Sequence, residues 1–238
     1  AKSAKKNVLE PHLCACWCIP PEQNGEDVAR MEDILDLYCL PYDPDIPLVC
    51  MDEQPRQLVK ETRRPLPAIP GRPQRVDHEY ERNGTAEIFL FVEPLAGWRH
   101  VNVREHRTSV DWAHEVRELL EVHYPRAPLV RLVCDNLNTH KIGSLYEAFD
   151  PKQARLLAKR LEIHYTPNHG SWLNIAEIEL SALSTQCLKR RIPDITTLRS
   201  ETHNWGQTRN ENQKGVDWQF TTDDARIKLK NLYPQAQM

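Results

Sequence analysis

Leu129-Val130-Arg131-Leu132-Val133-Cys134-Asp135 decides the fold: a short, nearly all-apolar run that ends on a carboxylate. A run of this length and composition reads as a strand buried on both faces, which implies helices packed above and below it. A second such run, Pro47-Leu48-Val49-Cys50-Met51, delivers Asp52, Glu53 and Gln54. In open α/β sheets, sites gather at the C-terminal edge of the strands, and both aspartates fall there.

The surrounding pattern supplies the other elements. Val28, Met31, Ile34, Leu35 and Tyr38 recur at helical spacing over residues 24–40, and Pro41 and Pro44 stop that helix. Two strand-like runs, 75–82 and 86–93, flank Asn83-Gly84, the strongest short hairpin signal. Trp98 to Arg104 alternates as a further strand, and Thr108 or Ser109 can cap a helix reaching about His123. A helix over 143–160, a strand over Leu161 to Tyr165 and a helix from Trp172 to Leu188, capped by Ser171, come next. Helices near 196–210 and 222–231 close the chain. Antiparallel strands followed by parallel ones with helical crossovers predict an α/β fold, a mixed five-stranded sheet flanked by helices.

A net charge of −3 over 238 residues does not announce a nucleic-acid binder, but its distribution is uneven. Residues 22–54 carry ten acids and one base; residues 55–75 carry Arg56, Lys60, Arg63, Arg64, Arg72 and Arg75 against Glu61 alone. Phosphates respond to the local patch rather than to the sum. The stretch to Pro73 holds five prolines and is expected to be a loop. No apolar run approaches the ~20 residues that span a bilayer, which argues against a membrane protein. The seven cysteines are odd in number and never spaced Cys-x-x-Cys, which fits free, mostly buried thiols in a reducing cytoplasm. His12 with Cys14, Cys16 and Cys18 has the wrong spacing for a zinc knuckle.

If the strands ending in Asp52 and Asp135 are neighbours, their carboxylates crowd one another, and a hard cation such as Mg²⁺ relieves the repulsion. A third acid would complete a site able to hold two ions ~4 Å apart for phosphodiester chemistry. Glu177 and Glu179 both qualify, on opposite flanks of the stripe Leu173, Ala176, Leu180, Leu183 and Cys187, and periodicity does not choose between them.

Cys134-Asp135-Asn136-Leu137-Asn138-Thr139-His140 and Gly170-Ser171-Trp172-Leu173-Asn174-Ile175-Ala176-Glu177 resemble the second and third motif blocks of mariner-type DDE transposases, in the bacterial insertion-sequence branch. Val49-Cys50-Met51-Asp52-Glu53 resembles the first block. Trp218-Gln219-Phe220-Thr221-Thr222 with Ala225, Arg226, Lys228 and Leu229 resembles the tail, so the likeness runs over residues 8–233. It implies a ribonuclease-H-like fold, Mg²⁺ or Mn²⁺ as cofactor with two ions per site, transposon-end and target DNA as partners, and a homodimer in the active complex.

The resemblance also makes Asp52, Asp135 and Glu177 the catalytic metal ligands, preferring Glu177 to Glu179. It gives Asn136, Asn138 and His140 a part in supporting Asp135 or contacting DNA, with His140 a weak candidate for general base. Trp172 would stack on a distorted base, with Asn174 beside it in the DNA-contacting set. Arg63, Arg64, Arg72 and Arg75, with Lys189, Arg190 and Arg191, would hold phosphates without reading sequence. The helix-turn-helix region of such transposases has no counterpart here, so residues 1–20 read as a remnant of, or linker from, a DNA-binding region and 21–238 as the catalytic domain. The expected setting is the bacterial cytoplasm, at the nucleoid when on DNA. Two rivals stay open: a same-fold nuclease that cuts without joining, and a non-catalytic DNA-binding domain.

Overall fold

The structure, a computed structural model, describes residues 24–168, 170–212 and 215–234. The expected linker at 1–20, with His12, Cys14, Cys16 and Cys18, lies outside the described residues.

Five strands form one mixed sheet: β1 (Leu48–Glu61), β2 (Tyr80–Glu93), β3 (Trp98–Arg104), β4 (Val130–Cys134) and β5 (Leu161–Tyr165), in the order β3-β2-β1-β4-β5. The pairs β1/β2 and β2/β3 are antiparallel; β1/β4 and β4/β5 are parallel. Helices cover both faces, as the two doubly buried runs require. On one face α1 (Gly25–Tyr38), α5 (Ile175–Gln186), α6 (Ile195–Asn212) and α7 (Thr222–Lys228) close over Cys50, Ile88, Leu90 and Val92. On the other, α2 (Ser109–Glu118), α3 (Ile142–Ala148) and α4 (Pro151–Lys159) close over Val49, Met51, Phe89 and Phe91. The alternation of Cys50 with Met51, and of Leu90 with Phe91, between two separate cores is the two-residue period of a strand sandwiched between helix layers.

Four local readings are corrected. Asn83-Gly84 makes no hairpin: β2 runs straight through it, and the positive φ of Gly84 (87°) is absorbed by a bulge where the register slips between Gln57 and Val59 of β1. Asn83 Nδ2 instead donates to the Pro193 carbonyl at 2.7 Å. The reversal between β1 and β2 comes at Pro70-Gly71, where Ile69 and Arg72 exchange backbone hydrogen bonds and Gly71 has φ 79°. Pro then Gly at the centre of a two-residue turn is the chemistry for a positive second φ. The basic stretch is therefore not a loop from its start: residues 55–61 extend β1, and residues 66–75 form a small ribbon through the Leu66–Arg75 and Ile69–Arg72 bridges.

The helix expected over 143–160 breaks in two, because Asp150 caps a new start by accepting from the Lys152 and Gln153 amides ahead of Pro151. Likewise Ser171 opens only a 3₁₀ turn (Ser171–Leu173), and Asn174 caps α5. Helix α2 begins at Thr108 in a capping box with Asp111 and ends in a π-helical turn over Leu119–His123. Among the described cysteines Cys50 and Cys134 are buried, but Cys39 is exposed. No helix among the described residues is long and apolar enough to cross a membrane.

Candidate active site

The register of β1 against β4 pairs Cys50 with Val133, so two residues on Asp52 stands level with Asp135. Adjacent strands lie ~4.8 Å apart, which makes the two carboxylates neighbours at the edge where β4 ends and β1 continues. Opposite Leu90 in the β2 register, Asp52 shares the face of α5; Glu53, opposite Phe89, takes the face of α2.

Helix α5 is tied to this edge by Asn174. Its Nδ2 donates to the Met51 carbonyl at 2.9 Å, while its Oδ1 accepts from the Ala176 amide at 3.2 Å. One side chain thus fixes the helix start to the residue before Asp52. Tyr38 adds a second tie, its hydroxyl donating to the Leu173 carbonyl at 2.6 Å. Glu177, in the first turn of α5, is left exposed and close enough for its charge to act on Asp52.

The Asp52 carboxyl is pushed up to about 7, first by burial and then by the charges of Glu177, Asp135 and Glu53, against the Glu53 amide that donates to it at 2.8 Å. Burial is the larger cause, and the neighbouring carboxylates add to it. The three acids do not all come within 4.8 Å of one another; among the described residues only His100, Glu118 and His123 do so. A pair of ions ~4 Å apart calls for that wider spread, since its outer ligands serve different ions. Oxygen-only donors at a sheet edge fit Mg²⁺ or Mn²⁺.

His140 is buried beneath this edge, stacked against Trp112 at 5.7 Å between ring centroids. Its Nδ1 lies 2.7 Å from Asp135 Oδ1, and its Nε2 lies 3.0 Å from Glu53 Oε1. Burial works to lower its pKa, but the bonds to Asp135, Cys134 and Glu53 win and carry it up to about 12. With both ring nitrogens turned to carboxylates, His140 is placed to orient Asp135 rather than to take a proton from a nucleophile. Of the two parts the resemblance allows His140, supporting Asp135 matches this placement, with the ring only 1% exposed. Asn174, expected among the DNA-contacting residues, is 3% exposed and engaged with Met51 and Ala176.

Glu179 is separated from the other acids. It is buried, with Oε1 3.0 Å from Arg99 Nη2 and 2.7 Å from Arg209 Nη2. Burial tends to raise its pKa, yet the bonds to the two arginines outweigh it and the net shift is downward. It pins α5 to β3 and α6.

Asn136 and Asn138 are exposed just past Asp135. Trp172 is 47% exposed and meets Phe220 edge-on at 6.2 Å. Beyond Asp52, β1 forms one wall of a groove of about 1280 Å³ lined by Arg56, Lys60, Lys189, Arg190 and Arg191. Within it Arg191 pairs with Glu61 at 2.6 Å and Arg190 with Glu201 at 2.6 Å, while Lys189 is exposed. Arg72 and Arg75 are exposed on the ribbon that continues this wall, and Arg63 and Arg64 on the segment leading into it, Arg63 lying 3.3 Å from Asp77. Glu53 and Tyr38 were not among the expected site residues. Only the adjacency of Glu53 to Asp52 signals it in the sequence.

The family described as DDE superfamily endonuclease matches residues 47–199, a span that includes Asp52, Asp135 and Glu177. No curated protein sequence matches the chain. Among solved structures it is similar to the Mos1 mariner paired-end complex with Mn, with TM-score 0.55 and 15% identity over 85% of this chain and 61% of that one. The Mos1 strand transfer complex gives TM-score 0.56 and 14% identity over 85% and 60% of the two chains. The Mos1 paired-end complex with Mg gives 0.54 and 15% over 94% and 68%. At these identities the likeness is one of fold, and the fold is the ribonuclease-H-like α/β sheet. The chain spans 61% of the length of the first of these relatives.

Proposed function

The chain belongs to the DDE superfamily endonuclease family, and from that premise we propose that residues 21–238 are the catalytic domain of a DNA transposase. It cuts phosphodiesters at transposon ends and joins the freed 3′-hydroxyl to target DNA. The observation that carries this reading is geometric: the β1/β4 register stands Asp52 level with Asp135, and Asn174 ties the start of α5, which carries Glu177, to the Met51 carbonyl beside Asp52.

In this reading Asp52, Asp135 and Glu177 hold two Mg²⁺ or Mn²⁺ ions. Such ions, when bound, activate a water or 3′-hydroxyl and stabilise the leaving oxygen. The chain's own residues prepare the site. Asn174 holds the start of α5, and with it Glu177, against β1; His140 and Glu53 hold Asp135. Asn136, Asn138 and Trp172 face the DNA near the cut. The walls of the groove and ribbon, Arg63, Arg64, Arg72, Arg75, Lys189, Arg190 and Arg191, take phosphates, a contact that positions without reading bases. Joining exchanges one phosphodiester for another, so no energy-rich cofactor enters. We further propose a homodimer in the active complex, with residues 1–20 leading from a separate DNA-binding region, in a bacterial cytoplasm at the nucleoid.

A strand-transfer assay tests this: a labelled duplex with a free transposon-end 3′-hydroxyl is incubated with target plasmid and Mn²⁺. Joined product supports the reading. Cutting without joining favours a nuclease of the same fold, and neither reaction would leave a non-catalytic DNA-binding domain.

A further inference from the structure

We propose that His100, Glu118 and His123 form a second metal site, for a divalent transition metal of the zinc class, on the opposite face of the sheet from Asp52. The three side chains offer ligand atoms within 4.8 Å of one another. His100 Nε2 is 3.4 Å from Glu118 Oε1, and His123 Nε2 is 3.9 Å from the same oxygen. Ligands ~2.0–2.1 Å from a tetrahedral ion stand about 3.4 Å apart, so the His100–Glu118 edge already fits, the His123–Glu118 edge closes by roughly half an ångström, and the His100–His123 edge starts within 4.8 Å.

Two further observations point the same way. Both Nε2 atoms are buried and make no hydrogen bond, an unfavourable state for two imidazoles facing one carboxylate unless a shared cation satisfies all three. The backbone, moreover, departs from the α-helix at this place. On an α-helix Glu118 and His123, five apart, would point about 140° away from each other. The π-helical turn, closed by the Tyr124 amide donating to the Leu119 carbonyl at 2.9 Å, brings them to one side. Such turns concentrate at functional sites.

The surroundings suit a transition metal. Trp98 stacks on His100 at 6.2 Å and leans on His123 at 4.9 Å, with Tyr124 beyond it, so aromatic rings back the cluster on one side while its carboxylate stays partly open to solvent. Asn102 Nδ2 donates to Glu118 Oε2 at 3.4 Å and orients the carboxylate from outside. The charged groups around it are His203 on α6 and, reached through Asn102, Glu115 with its partner Arg104. Burial, then His123 and His203, lower the His100 pKa to about 4, and burial lowers that of His123 against the pull of Glu118. Burial thus favours the neutral, ligating form of both rings. Two imidazoles and one carboxylate select zinc-class ions over Mg²⁺, which prefers oxygen. In register His100 faces Phe91 and Asp52 faces Leu90, residues on opposite faces of β2, so this site does not feed the carboxylates. Its metal fastens edge strand β3 to the end of α2.

Co²⁺ is the probe, added to the full chain with Mg²⁺ in excess to occupy the carboxylates. One equivalent should give the visible absorption of tetrahedral Co²⁺, displaced by Zn²⁺. His100→Gln and His123→Gln, on different elements and each checked for folding by circular dichroism, should weaken binding by roughly 100-fold. Asp135→Asn should leave it unchanged. A wild-type chain without the tetrahedral spectrum would overturn the proposal. So would a spectrum kept in the folded histidine variants, or one lost in Asp135→Asn.

Discussion

His140 stands with Nδ1 2.7 Å from Oδ1 of Asp135 and Nε2 3.0 Å from Oε1 of Glu53, so the aspartate is aimed by a buried ring rather than by solvent. Substituting His140 by Gln should lower metal-dependent cleavage by roughly 10- to 100-fold, the range for partners that orient metal ligands. The loss should appear mainly as weaker metal binding, read from cleavage rate against Mn²⁺ concentration. A general base would instead cost turnover at saturating metal with no change in metal affinity.

Asp52 carries a pH dependence of known sign. Its native pKa of about 7 lies above the ordinary 3.8, so the metal-free fold keeps a proton that the unfolded chain gives up. Stability should therefore fall as pH climbs from about 4 to about 7 and level off above. Asp52→Asn should remove that slope and stabilise the metal-free protein by roughly 1–3 kcal/mol at pH 8, while abolishing cleavage. Urea unfolding at pH 5 and pH 8, without metal, measures both.

Glu179→Gln separates the two acids of α5. One buried carboxylate oxygen serves both Arg99 and Arg209, so the change removes a charge partner from each and should cost roughly 3–5 kcal/mol. Below its lowered Tm the variant should still cut DNA. A stable but inactive variant would place Glu179, not Glu177, in the site.

Asn174→Ala removes the α5 cap and the bond to the Met51 carbonyl together. Thermal unfolding should show a loss of roughly 1–2 kcal/mol. Cleavage at saturating metal should fall by roughly 10- to 100-fold as Glu177 drifts from Asp52. Unchanged turnover would mean that Glu177 is positioned by something else.

Lys189→Ala and Arg190→Ala bear on the groove. Each should weaken DNA binding uniformly across sequences and lower the slope of log affinity against log salt by about one. A salt slope that both variants leave intact would move the DNA path elsewhere.

Elements with one strong local signal are legible in the sequence. The Trp98–Arg104 alternation and the Leu161–Tyr165 run appear with those boundaries, because one face or both must be buried. Asn83-Gly84 misleads because a bulge uses the same positive φ as a turn, and only the partner strand tells them apart. Asp52 and Asp135 announce themselves at the ends of apolar runs. Glu179 looks like a surface acid until Arg99, 80 residues away in sequence, is folded against it. The Glu53–His140 pair spans 87 residues and carries no periodic signature. Glu118 and His123 fall on one side only through a π-helical turn that no residue pattern specifies.

The most direct test of the central claim is cleavage of a labelled, pre-nicked duplex in Mn²⁺ and in EDTA, by the wild-type chain and by Asp52→Asn, Asp135→Asn and Glu177→Gln. The account predicts cutting by the wild type in Mn²⁺ alone, and none by any of the three folded variants. Cutting that persists in EDTA, or full activity in any one of the three, would contradict it.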